Sequence, residues 1–525
     1  MDWIASRSGN DCEHRQIGRG NLGLTLTPVT ASTMLPRSGE PGQDEPGASG
    51  KGRAGWFLAA VSLVLAANIM SSRYLFSDTF YDLYAGRFII KHGIPHRNVV
   101  TVAAHGAAWI DQQWLAQVTY YGAWSAGGYR LLAAVSAVLI TSGFAVLAVV
   151  MLRRGIPPTR AFAWTLAAFL VSLGNTGIRA QSFAYPCLAL TLWLVLEDDA
   201  GDGIRLRTWL VIPVLVVWAN THGSVLLGAA LVALYATYRA TKAATRGAWR
   251  SAAAYGLLGV ASALSVICTP YGAGVAQYYE HFAGNSQLGR YISEWAPPNP
   301  LSRFSWAFFA VLIVIAITVF IAWRRGARPD PVLAGIAALL LGLAFTAVRN
   351  QAWFGFGGAL LAADATARSR AGKIPTLSRT FSRGVAGLLA ALAVASLITL
   401  AVTPDRQFYN QVPRRAVNVA ANVAAKHPGM RVLGDDYSST AMLWLRPAVI
   451  GRVGFDARFE LYGPELGAYS DFLFVRGRQW TRVIRGYDLV VASRRHQALV
   501  TSLAVLPGWR VIFEDRNGIV VQRRL

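Results

Sequence analysis

An α-helical protein that crosses the membrane about eleven times, with an α/β domain at its C-terminal end, is the fold class that three features of this sequence predict. Of its 525 residues, 54% are hydrophobic and only 15% charged, too apolar for a soluble chain of this length. Charge-poor runs recur along the chain and stop near residue 403. The basic residues gather between those runs rather than on one soluble face, so the formal charge of +23 speaks for membrane topology and against a nucleic-acid partner.

Residues 1–53 are rich in Gly, Ser, Thr and Pro with mixed charge and have no early apolar stretch, which predicts a disordered cytoplasmic tail rather than a signal peptide. Met34 offers a second start. Cys12, Cys187 and Cys268 are scattered, so neither a disulfide framework nor a zinc site is readable.

The predicted spans are 56–72, 131–152, 160–178, 182–196, 210–218, 225–238, 251–267, 304–323, 331–348, 353–363 and 385–402. Basic stretches at 153–154, 239–250, 324–328 and 368–383 follow every second span, as loops on the cytoplasmic side do. That alternation puts the N-terminus in the cytoplasm. It also puts two long loops, 73–113 and 269–303, outside the cell's inner (plasma) membrane, and an odd span count sends everything after residue 403 to the same face. Residues 114–124 are too short to span and belong at the interface. The tail, 404–525, predicts a helix at 412–426 and strands at 431–433, 488–492, 510–513 and 518–523, hence an extracytoplasmic α/β domain following the membrane domain of 54–403.

Chemistry-bearing residues collect at the outer turns. Asp78 and Asp82 directly follow the first span and, four apart, share one face of a helix; either is a general base or a ligand for a divalent cation. Arg179, Asn220, His222, Glu294 and Arg349 come from four other outer turns, which the topology sets at the same depth. Taken singly, each has a plain reading as a snorkelling Arg, a cap or an interfacial His. Together they predict a polar cavity at the membrane boundary, with carboxylates to activate an acceptor and arginines to hold a lipid phosphate. No phosphate-binding loop, dinucleotide fingerprint or serine-hydrolase elbow is present in the sequence.

The chain resembles the bacterial multi-spanning GT-C glycosyltransferases, in a branch related to dolichyl-phosphate-mannose-type transferases. The resemblance is carried from residue 56 to the C-terminus by Ser77-Asp78-Thr79-Phe80-Tyr81-Asp82, Trp109-Ile110-Asp111-Gln112-Gln113-Trp114, Trp218-Ala219-Asn220-Thr221-His222-Gly223, Glu294-Trp295, Arg349-Asn350 and the stretch Phe455 to Gly463. It implies a polyprenyl-phosphate sugar donor, a glycan or lipid acceptor bound on the outer face, and catalysis by Asp78. Two alternatives stand beside this one: a lipid-linked-glycan transporter, and a non-catalytic cell-envelope assembly protein in which Asp456, Arg458 and Glu460 form a structural ion-pair turn.

Overall fold

In lipid every backbone N–H and C=O needs an internal partner, so apolar segments of this kind fold as helices. The structure, a computed structural model, describes residues 48–199, 203–284, 289, 292–369, 378–410, 412–463 and 465–524. Most of the predicted N-terminal tail lies outside them, and its last residues already belong to α1 (Ala48–Ser71).

Each of the eleven predicted spans falls on a helix. After α1 and the short α2 (Ser77–His92) come α3 (Trp114–Arg153), α4 (Pro158–Ser172), α5 (Ala184–Asp199), α6 (Val211–Thr221), α7 (Val225–Ala244) and α8 (Trp249–Ser265). Then follow α9 (Val275–Gly284), α10 (Trp306–Arg324), α11 (Pro331–Ala344), α12 (Gln351–Arg368) and α13 (Arg379–Val402). Among the described residues, the stretches Ala54–Ser71, Trp114–Arg153, Ala180–Asp199, Arg303–Arg324 and Thr380–Val402 are long and apolar enough to cross a membrane by themselves.

Three glycines shape the part that matters for the site. Within α3 the backbone breaks at Gly127 and at Gly128, whose φ of +64° favours glycine, and the break separates the amphipathic start of the helix from its spanning part. At Gly86 a Cβ would stand 2.2 Å from the Gln117 carbonyl oxygen, so only glycine lets α2 lie flat against the start of α3. At the opposite end of the bundle, Arg154 bridges Asp330 at 3.0 Å and Asp364 at 3.1 Å, and Arg368 closes on Asp364 at 2.6 Å. Asp330 also caps α11 by accepting from the Val332 and Leu333 N–H groups.

The four predicted C-terminal strands are present as β1 (Val432–Gly434), β2 (Leu489–Ser493), β3 (Trp509–Glu514) and β4 (Gly518–Arg523). They form one sheet in the order β1-β2-β4-β3, parallel between β1 and β2 and antiparallel elsewhere. The expected helix is α14 (Arg414–Lys426), and α15 (Asp436–Leu445), α16 (Glu465–Phe474) and α17 (Gln497–Ala504) pack around the sheet. This part is not set apart from the helices, since Gly47–Leu525 is one compact unit.

The join rests on a buried ion pair. Asp456 and Arg458 are fully buried, with Arg458 Nη2 2.7 Å from Asp456 Oδ2. Tyr84 on α2 donates to Asp456 at 2.5 Å, Arg458 donates to Asn98 at 3.0 Å, and the guanidinium lies 4.2 Å from the centre of the Trp109 ring. Charges removed from water are tolerable only when matched this completely. Glu460 is absent from the ion pair, so the turn is structural at two of its three charged positions.

Candidate functional site

The N-terminus of α2 fixes the first carboxylate. Thr79 Oγ1 accepts from the Phe76 N–H at 3.2 Å and donates to the Ile178 carbonyl at 2.8 Å, which pins the helix start to the turn before Arg179. Asp78 therefore meets Arg179, whose Nη1 lies 3.4 Å from Asp78 Oδ2 and 3.0 Å from Glu294 Oε2. Arg179 itself is held from below, its Nη2 donating to Asn175 and its carbonyl accepting from the Tyr120 hydroxyl. The second arginine arrives from another turn: the Val348 N–H donates to the Ala296 carbonyl, and the Arg349 guanidinium stacks 4.0 Å from the Trp295 ring centre.

These groups line one cavity of about 300 Å³, together with Asp82 and His222. Six of the seven residues singled out in the sequence, Asp78, Asp82, Arg179, His222, Glu294 and Arg349, thus face a common space. Asn220 is not among its lining residues. Its side chain instead accepts from Trp114 Nε1 at 2.8 Å and donates to the Val216 and Cys268 carbonyls, so it ties the end of α6 to two neighbouring segments.

Burial raises the Asp78 carboxyl above its ordinary value; Arg179 and Arg349 pull it back, while Glu294 adds to the rise. Glu294 goes the other way: burial opposes its charge, but Arg179 and then Arg349 outweigh burial and lower its pKa. Burial works against the Arg179 cation too, yet Glu294 and Asp78 overcome it and raise the pKa. Asp82 is 1% exposed, and its Oδ2 has no hydrogen-bond partner among the described residues. Burial, with Asp78 and Asp111 close by, pushes its pKa well up. Burial, Arg349 and Arg179 push the His222 pKa well down, so this imidazole is neutral. Its Nδ1 accepts from the Ser224 N–H at 3.2 Å, a network that assigns the proton to Nε2.

The cavity also holds groups outside the sequence-derived set: Tyr81, Gln113, Tyr278 and Glu460. Glu460 stands in the stretch quoted for its resemblance, but its spacing from Asp456 and Arg458 does not show that it faces another way. Among the described residues no three His, Cys, Asp or Glu side chains are grouped to hold a metal ion, and two of the cavity carboxylates already share Arg179. Asp78 and Asp82 line the cavity and would supply two ligands to the divalent cation that their spacing allows.

Neither family models nor curated proteins match the sequence. Solved structures do. The oligosaccharyltransferase of Archaeoglobus fulgidus in its apo form superposes with a TM-score of 0.50 at 11% identity, over 84% of this chain and 69% of that one. The two chains share a fold. ArnT from Cupriavidus metallidurans, solved bound to undecaprenyl phosphate, matches with a TM-score of 0.49 at 14% identity, over 89% of this chain and 97% of that one. The cavity of this chain lies where α2, the turns before α5 and α12, and the C-terminal segment meet.

Proposed function

We propose that the protein is a membrane glycosyltransferase that moves a sugar from a polyprenyl-phosphate donor to an acceptor on the outer face of the membrane. The observation that carries the reading is the convergence of Arg179 and Arg349 with Asp78 on one cavity at the end of apolar helices. Two guanidiniums beside one carboxylate suit a reaction in which a phosphate leaves as a hydroxyl attacks. A second feature supports a lipid donor: an apolar groove of about 550 Å³ along α7, α8 and α9 shares Leu226 and Tyr279 with the cavity wall. A phosphate in the cavity and a hydrocarbon tail in the groove belong to one amphipathic molecule. The GT-C fold agrees with such a transfer.

In this reading the acceptor oxygen attacks the sugar's anomeric carbon as its proton passes to an Asp78 carboxylate oxygen. The bond from that carbon to the phosphate oxygen breaks, the configuration inverts, and polyprenyl phosphate departs with the bonding pair. Arg179 and Arg349 stabilise the phosphate, His222 donates to it through Nε2, and Glu294 keeps Arg179 charged and oriented. Asp82, whose pKa burial pushes up, holds the α2 face rather than serving as the base. Undecaprenyl phosphate added to the purified full-length chain in nanodiscs tests this: native mass spectrometry should detect one bound lipid phosphate in the wild type and its loss in Arg349→Gln. Equal retention in both would sink the reading.

A further inference from the structure

The cavity has a side that donor chemistry leaves unused. Phe459, Glu460 and Ala457 reach it from the C-terminal segment on the short turn Phe459–Leu461, which the Asp456–Arg458 pair holds in place. Among the charged groups, Arg458, Asp456 and Asp111 act on Glu460. Glu460 in turn acts on Tyr81 and Tyr278, so these two phenols stand near it, and Gln113 lines the same space.

We propose that Glu460, with Gln113, Tyr278 and Phe459, forms the acceptor subsite, and that the acceptor it recognises is a saccharide. Aromatic faces beside a carboxylate and an amide are the set that a pyranose ring uses. Its C–H face packs on the rings while its hydroxyls donate to the charged oxygens and exchange bonds with the amide. The cavity is then divided by charge: cations for the leaving phosphate at the membrane helices, a carboxylate for the incoming hydroxyls at the C-terminal segment. The subsite rests on the transferase reading for its purpose, but not for its existence.

Burial, with Asp456 and Asp111 adding and Arg458 opposing, sets the Glu460 pKa at about 7. Tyr81 on α2, Tyr278 on α9, Asp111 in the first loop and Asp456 are the titratable groups interacting with it, and Arg458 is the cation that opposes its rise. Saccharide binding therefore strengthens as pH rises through about 7 and the carboxylate forms.

The test uses the full chain in nanodiscs, a panel of methyl pyranosides as probes read by saturation-transfer NMR, and undecaprenyl phosphate as the second ligand. We expect a pyranoside to bind the wild type and Arg349→Gln alike. Glu460→Gln, which keeps shape but not charge, should weaken it about tenfold or more while lipid phosphate still binds. Glu460→Asp should restore part of the affinity, which a purely structural role would not produce. Pyranoside binding that is absent in the wild type, or unchanged in Glu460→Gln, overturns the subsite. An amine probe bound in place of the pyranosides overturns the saccharide assignment. Loss of lipid-phosphate binding in the wild type instead overturns the donor reading and leaves a Glu460-dependent saccharide site standing.

Discussion

Arg179 donates to Glu294 at 3.0 Å across 115 residues of sequence, joining the turn before α5 to the loop before α10. The same guanidinium nitrogen reaches Asp78, so one cation organises the two carboxylates nearest the proposed reaction.

Removing that cation should be costly for binding. Arg179→Gln and Arg349→Gln are each expected to weaken polyprenyl-phosphate binding by roughly 2–5 kcal/mol, the scale for truncating one member of a desolvated charge pair. Titration of the lipid phosphate by native mass spectrometry measures it. Arg179→Gln should be the more damaging to fold as well, because it strands Glu294 and Asp78 beside each other.

Asp78→Asn should abolish turnover with donor binding intact, and Asp82→Asn should cost far less, because burial disfavours the charged form of Asp82. Since the folded Asp78 pKa is raised, wild-type turnover should climb as pH rises through that value. A pH–rate profile with no acid limb, or an active Asp78→Asn, would remove the base.

Asp111 gives a stability prediction with a definite sign. It is 2% exposed, accepts from Gln117 at 3.0 Å, and burial raises its pKa from 3.8 to about 7. Folding therefore favours the protonated form. The stabilisation is complete below the unfolded value and declines as pH rises towards about 7, by on the order of a few kcal/mol at most. Thermal unfolding of Asp111→Asn across that range should be flatter than that of the wild type.

Arg458→Ala leaves Asp456 charged, buried and without its cation. A loss of about 3–5 kcal/mol is expected, read as a lower unfolding temperature and as faster hydrogen exchange in β1 and α15. Wild-type exchange in that variant would show that the pair does not hold the segment.

Orientation has its own check. Cysteines introduced at Thr241 and Arg324 should be protected from a membrane-impermeant thiol reagent in intact cells, and one at Gly467 should label. Labelling at all three positions contradicts the predicted sidedness.

The membrane helices were legible because lipid leaves the sequence few options: long apolar runs must be helical, and charged loops mark their ends. The four C-terminal strands were legible for a related reason, short β-branched runs bounded by turns. The break in α3 was signalled only by the adjacent glycines at 127 and 128. Asp78, Arg179, Glu294 and Arg349 could be grouped because topology fixes depth, even though their separation in sequence hides their contact. Depth does not fix azimuth, and that is why Asn220, at the right level, turns its amide to backbone carbonyls instead of the cavity. Glu460 was obscured by its neighbours: two residues from a fully buried ion pair, it faces the opposite way on a turn whose direction no periodicity reveals.

Tyr84 on α2 holds Asp456 of the C-terminal segment, and α2 is also the helix that carries Asp78 and Asp82. Mechanically, then, the carboxylates of the first loop and the turn bearing Glu460 are one piece. Neither swings without the other, since parting them would drag a bare ion pair into the open. For the lipid donor proposed above, that fastening favours entry from the side of the bilayer, past the wall of Leu226 and Tyr279 where the apolar groove meets the cavity.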